Sequence, residues 1–166
     1  MVPFAIVVMG VSGSGKTTVA SRLAARLDRQ FAEGDAFHPA ANVEKMRQGI
    51  PLTDEDRWPW LDAIAAWLDA QRAAGKPCVI TCSALKRAYR ERLAHGHHDV
   101  RFVYLKAEYS LVARRMAARK GHYMPMALLQ SQFDALEEPG PEENPLTVPI
   151  EATPDEIVAR ILAELR

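Results

Sequence analysis

Excess charge of either sign is missing from this chain. Its 166 residues carry 21 Lys and Arg against 21 Asp and Glu, so no bulk basic field points to a nucleic-acid partner. Cysteine is scarce. The two present, Cys78 and Cys82, flank one predicted strand, with no second Cys or His pair to complete a zinc site and no basis for a disulfide framework. They read as buried free thiols in a reducing compartment. No apolar run approaches the roughly 20 residues of a membrane span, so no membrane partner is expected. The first residues pass straight into a strand without a charged leader or a cleavage pattern, and the expected location is cytoplasmic. Internal repeats and low-complexity tracts are absent. The proline-rich stretch from Glu137 to Pro145 is too short to link domains. What is left is an ordinary globular composition, 48% hydrophobic and 25% charged, at a length that suits one domain with its own core.

What the chain does have is Gly10-Val11-Ser12-Gly13-Ser14-Gly15-Lys16-Thr17. Glycine at the first and sixth positions followed by Lys and Thr is the spacing of a phosphate-binding loop, or P-loop. Glycines allow backbone angles that turn successive N–H groups inward around an anion. Lys16 adds a mobile charge for the β- and γ-phosphates, and the Thr17 hydroxyl is a ligand for Mg²⁺. The apolar run Phe4–Met9 ahead of the loop reads as a buried parallel strand, and Val19, Leu23 and Leu27 behind it fall at helical spacing. The loop therefore opens onto a helix N-terminus, whose dipole favours the same phosphates.

Apolar runs alternate with helical patterns along the whole chain. Strands are expected at Phe4–Met9, Gln30–Glu33, Cys78–Cys82, Val100–Leu105 and Leu146–Ile150. Helices are expected at Lys16–Asp28, Ala40–Gln48, Trp58–Ala74, Lys86–Leu93, Ser110–Lys120, Met126–Ala135 and Pro154–Leu165. This alternation predicts an α/β fold with a parallel sheet covered on both faces. Ligands then sit outside the carboxyl ends of the strands.

Residues just past those ends carry the remaining chemistry. After the second strand, Asp35 could orient a substrate hydroxyl and take its proton, Glu33 could hold the water shell of a metal, and His38 could hydrogen-bond a polyol or a carboxylate. Turn and helix-start roles are the alternatives for Asp35 and His38. In Thr53-Asp54-Glu55-Asp56-Arg57, Thr53 or Asp54 could cap a helix, while Arg57 suits bidentate binding of a carboxylate. Trp58 and Trp60 read as core or pocket wall. After the third strand, Ser83 could cap the next helix or let the backbone approach a ligand, and Lys86 is placed to contact substrate. Arg90 reads equally as a contributor to this basic cluster or as one charge on a solvated helix face. A last basic run, Arg114 to Pro125, is expected to form a mobile lid over about residues 115–130, with Arg115 and Arg119 on one helix face.

Assembled, these strings resemble the gluconokinase family of small bacterial type, within the shikimate-kinase-like and nucleoside-monophosphate-kinase-like P-loop kinases. The resemblance is carried by Met9 to Lys16, Gly34-Asp35-Ala36-Phe37-His38-Pro39, Asn42 to Met46, Gly49 to Arg57, Pro59-Trp60-Leu61, Cys82 to Lys86 and Arg119-Lys120-Gly121-His122, and it spans nearly the whole chain. It implies a single three-layer α/β/α kinase domain over residues 1–166, with five parallel strands in the order 2-3-1-4-5. It implies ATP-dependent phosphorylation of D-gluconate at the 6-hydroxyl, feeding the pentose phosphate pathway, with Mg²⁺ as cofactor and a homodimer as the assembly. The implied ATP site is Gly10, Ser12, Gly13, Ser14, Gly15, Lys16, Thr17, Thr18, Arg115, Arg119, Thr153 and Pro154. The implied gluconate site is Asp35, His38, Arg57, Ser83, Lys86 and His122. Lys16, Asp35 and Arg119 are the implied catalytic residues, and Thr17 and Glu33 the implied metal residues, with Glu at 33 where relatives often carry Asp. Two competing readings remain. One is a kinase for shikimate or another hydroxy acid. The other is an ATP-binding regulatory module, which would have no need of the Asp35, His38, Arg57 and Lys86 set.

Overall fold

The structure is a computed structural model and describes residues 2–118 and 126–165. Strands β1 (Ala5–Met9), β2 (Gln30–Glu33), β3 (Cys78–Thr81), β4 (Val100–Lys106) and β5 (Leu146–Pro149) pair in parallel throughout, in the order β2-β3-β1-β4-β5. This is the expected strand order. Both β1, at the centre, and β3 beside it are buried along their whole length, which is why they read as unbroken apolar runs. At the edge, β5 buries Leu146 and Val148 and exposes Thr147 and Pro149, the alternation of a strand covered on one side.

The connections are α1 (Lys16–Leu27), α2 (Ala40–Arg47), α3 (Asp54–Ala73), α4 (Arg87–Ala94), α5 (Tyr109–Ala118), α6 (Met126–Ala135) and α7 (Pro154–Glu164). Right-handed crossovers sort them. The step from β1 to β2 runs one way along the sheet and the later steps run the other, so α1 lies on one face and α3 and α4 on the opposite one. The packing agrees, because α1 contacts α7 and α3 contacts α4. Three layers result, and the chain direction reverses beside β1, where an α/β sheet opens its binding crevice.

Three local features differ from the sequence expectation. Helix α3 begins at Asp54, four residues before the expected Trp58, because Thr53 and Asp56 form a capping box: Asp56 N donates to Thr53 Oγ1 at 3.1 Å and Thr53 N to Asp56 Oδ2 at 2.9 Å. Thr53 is thus the cap and Asp54 is not. Pro59 sits inside α3 and removes a donor opposite the carbonyl of Glu55, an exposed residue whose carbonyl water can satisfy. Ser83 does not cap α4, whose N-cap position is Lys86.

Arg90 lies on no solvated face. It is 2% exposed and donates to the carbonyls of Ala84 at 2.8 Å and Glu137 at 2.9 Å, and to Glu143 Oε1 at 2.7 Å. Ala84 needs that support, since its φ of 46° lies in the left-handed region. Arg90 therefore pins the turn after β3 to the segment that leads into β5.

Beyond β2 the chain makes one 3₁₀ turn, Gly34–Phe37. A Cβ on Gly34 would lie 2.0 Å from the Thr81 carbonyl oxygen, so only glycine lets the end of β2 press against the end of β3.

Candidate active site

Three adjoining cavities follow the carboxyl edge of the sheet. The first, about 380 Å³, is walled by Gly13, Gly15, Thr18, Arg115, Ala152 and Pro154. Arg115 is anchored by a bond from Nη2 to the Ile150 carbonyl at 3.2 Å. Thr153 caps α7 through Glu156 N at 3.2 Å and presents Pro154, the first residue of the helix, to this cavity. The space is mostly apolar in its lining and opens onto the loop glycines, which suits the flat base of a nucleotide.

The second cavity, about 260 Å³, is the phosphate loop itself, with Lys16, Thr17, Glu33 and Thr81 around it. Gly10, Gly13 and Gly15 have φ of 147°, 78° and 95°, the torsions that aim the loop amides inward. Lys16 Nζ donates to the carbonyls of Gly10 and Val11 at 3.0 Å each. Its pKa is lowered by burial, against which Asp35, Cys82 and Glu33 pull upward. Ser14 Oγ is buried behind the loop, beside Gly10, with no hydrogen-bond partner. Glu33 Oε2 accepts from Thr17 Oγ1 at 3.1 Å and Thr81 Oγ1 at 3.2 Å. Among the described residues there is no cluster of three or more His, Cys, Asp or Glu. One carboxylate and two hydroxyls match a hard cation that keeps most of its water and takes the rest of its ligands from phosphate, which is how Mg²⁺ binds beside nucleotides.

The third cavity, about 110 Å³, is walled by Lys16, Asp35, His38, Arg57, Ser83 and Gln132, with Trp60 and Leu128 as apolar backing. His38 stacks on Trp60 with centroids 4.1 Å apart, and Trp60 Nε1 is fixed by the Gly34 carbonyl at 2.8 Å. Burial brings the His38 pKa down to about 4, opposed by Asp35 and helped by Arg57, so the ring is neutral near pH 7. Arg57 donates to Tyr89 Oη at 2.9 Å, Tyr89 bonds Asp54, and Lys86 Nζ reaches Asp54 Oδ1 at 3.1 Å. Bonds from Tyr89 and then Lys86 hold the Asp54 carboxyl below the usual range, while burial and then the Asp54 bond push the Tyr89 hydroxyl up to about 12.

The structure thus brings Asp35, His38, Arg57 and Ser83 together with Lys16. Lys86 stands one step back, paired to Asp54 rather than lining the cavity. Arg119 and His122 lie outside the described residues. Four contributors escaped sequence reading. Thr81 had a signal, a hydroxyl at the crevice end of an apolar strand. Gln132, whose Oε1 accepts from Ser12 N at 2.6 Å, comes from a helix 120 positions away and had none. Asn42 and Tyr89 act through other residues, so their identity alone marks nothing.

Comparison with known proteins agrees with this geometry. A family described as "AAA domain" matches residues 6–139. The chain is 50% identical over 160 residues to a gluconokinase of Gluconobacter oxydans (strain 621H), an alignment covering 96% of this chain and 90% of that one. It is 47% identical over 137 residues to the thermosensitive gluconokinase of Escherichia coli K12, covering 82% and 73% respectively. The crystal structure of a gluconokinase from Sinorhizobium meliloti 1021 superposes with a TM-score of 0.89 at 48% identity, covering 98% of this chain and 91% of that one. With identity this high over nearly its whole length, the chain belongs to the gluconokinase family.

Proposed function

We propose that this protein transfers the γ-phosphoryl group of ATP to the 6-hydroxyl of D-gluconate, releasing ADP and 6-phospho-D-gluconate. The observation that carries the reading is a shared wall. Ser12, Lys16 and Asp35 border both the phosphate cavity and the small polar cavity beside it. A phosphoryl donor and an alcohol acceptor placed in the two would meet over one ammonium and one carboxylate.

Lys16 exchanges its bonds to the Gly10 and Val11 carbonyls for the β- and γ-phosphates, and the loop amides hold the remaining oxygens. Asp35 aligns the attacking hydroxyl and accepts its proton. His38, neutral, and Arg57 are donors to the acceptor's oxygens, and Ser83 adds a hydroxyl. Lys86 supplies positive charge from behind Asp54, favouring an acidic acceptor. Thr17 and Glu33 would hold Mg²⁺, which supplies charge neutralisation across the β- and γ-phosphates. The adenine lies along Pro154, below Arg115. Arg119 and His122 take the closing and acceptor-side roles that the resemblance implies, within a lid over about residues 115–130 of a single kinase domain. The working form is a cytoplasmic homodimer.

A coupled ADP-release assay across gluconate, other sugar acids, shikimate and nucleoside monophosphates tests this. Acceleration by gluconate well above the others is expected. A panel in which shikimate or a nucleotide accelerates release and gluconate does not would overturn it.

A further inference from the structure

His38 enters the acceptor cavity with its chemistry already chosen by a residue outside that cavity. Asn42, on α2, is 3% exposed, and its side-chain nitrogen makes two bonds: to the Asp56 backbone carbonyl at 2.8 Å and to His38 Nδ1 at 3.2 Å. A carbonyl only accepts, so the first bond fixes which end of the Asn42 amide is the NH₂ group. The second hydrogen of that NH₂ then points at Nδ1, which must accept it and therefore carries no proton. A neutral ring with bare Nδ1 has its proton on Nε2. The stack on Trp60 holds the plane of the ring, and the Asn42 bond decides which nitrogen in that plane keeps the proton.

We infer that Asn42 is a positioning residue that holds His38 as its Nε2–H tautomer, making His38 a hydrogen-bond donor to the acceptor and never a base. The charged groups that face the ring are Asp35 from the turn after β2 and Arg57 from α3, with Lys16 across the same cavity. Burial keeps the ring from charging, with a pKa of about 4. With Arg57 alongside, the cavity offers two donors side by side, matched to an oxygen-rich and anionic end of the substrate, while among the described residues Asp35 is left as the carboxylate on this wall that can take a proton. The kinetic part of this inference rests on the gluconate reading above; the tautomer part does not.

The test is a ¹⁵N-detected titration of the histidine rings in the intact protein between about pH 5.5 and 8.5, the range that brackets an ordinary imidazole. The His38 signals are assigned by their loss in His38→Gln. The expected spectrum has protonated Nε2 and bare Nδ1 at every pH. A ring protonated on Nδ1, or one that titrates within the range, would overturn the inference whatever the substrate. Asn42→Asp supplies the second arm. A carboxylate facing Nδ1 draws the proton there and raises the ring's pKa. At low pH the doubly protonated ring still donates from Nε2. As pH rises the ring keeps only the Nδ1 proton, and Nε2 turns from donor to acceptor. The gluconate KM of this variant should therefore climb about tenfold across the range relative to the unmodified protein, the size of one lost hydrogen bond, with kcat changed far less. A KM that tracks the unmodified protein across the range would count against the inference. His38→Gln, whose amide nitrogen replaces Nε2, should retain a lower KM than His38→Asn, and the reverse order would also overturn it. If the spectrum is as expected but no sugar acid is turned over, it is the gluconate reading that fails.

Discussion

At the scale of single residues, the site is a set of groups whose charge state is decided by what surrounds them. Lys16 is half-buried and partnered by carbonyls, Asp35 stands between the two cavities, and His38 is neutral. If transfer runs through the first two, removing either removes stabilisation of the transition state and not merely affinity. Lys16→Ala and Asp35→Asn are each expected to lower kcat by at least about 10²-fold, the low end for loss of a charge-stabilising or proton-accepting group. Steady-state kinetics at saturating ATP and gluconate check this, with circular dichroism to show that the fold is retained. An Asp35→Asn protein with near-normal kcat would exclude proton transfer to that carboxylate. His38→Gln should act differently, raising KM more than it lowers kcat, because it alters a contact to the acceptor and no reacting bond.

At the scale of elements, the connections after β2 and β3 build the acceptor side, and Arg90 locks one of them in place. Arg90→Met would leave the Glu143 carboxylate and the Ala84 and Glu137 carbonyls without their donor. The expected loss is about 3–5 kcal/mol in urea denaturation, the usual cost of stripping one partner from a buried ion pair. Arg90→Lys should restore only part of this, since an ammonium cannot span the same fork of acceptors. The contrast is Arg22, whose pair with Asp155 is exposed at both ends; Arg22→Met should cost under about 1 kcal/mol. Arg90 also shows where sequence reading stops. Glycine and lysine spacing identifies the P-loop, and apolar runs identify the buried strands, because local pattern determines both. The sequence pattern puts the start of α3 four residues late because the capping box that sets it depends on side-chain geometry. Arg90 looked half solvent-facing because its acceptors lie about 50 positions further on. Gln132 was silent for the same reason: its partner Ser12 is adjacent only in the folded chain. Long-range polar contacts leave no period in a sequence.

At the scale of the whole molecule, the three cavities adjoin through shared wall residues, and the proposed function gives them to base, phosphates and acceptor in turn. Two ligands should then bind together. A non-hydrolysable ATP analogue with Mg²⁺, at about 100 times its Kd, should contribute about 2.7 kcal/mol and raise Tm by several degrees. Gluconate should add its own increment on top. Calorimetry in which the two ligands together give no more than the larger single shift would mean that they compete for one space, and the assignment of separate cavities would fall.

The contact between Gly34 and the Thr81 carbonyl links these scales. It lies on the backbone between Glu33 and Asp35, and it fixes how far the end of β2 stands from the phosphate loop. The spacing between the Glu33 and Asp35 carboxylates is therefore set by two strands touching, whereas the shape of the small polar cavity is set by side chains on α2, α3 and α6. Choice of acceptor and competence for transfer are separable properties of this molecule. The walls can be recut for a different alcohol while the chemical spacing stays where the glycine leaves it.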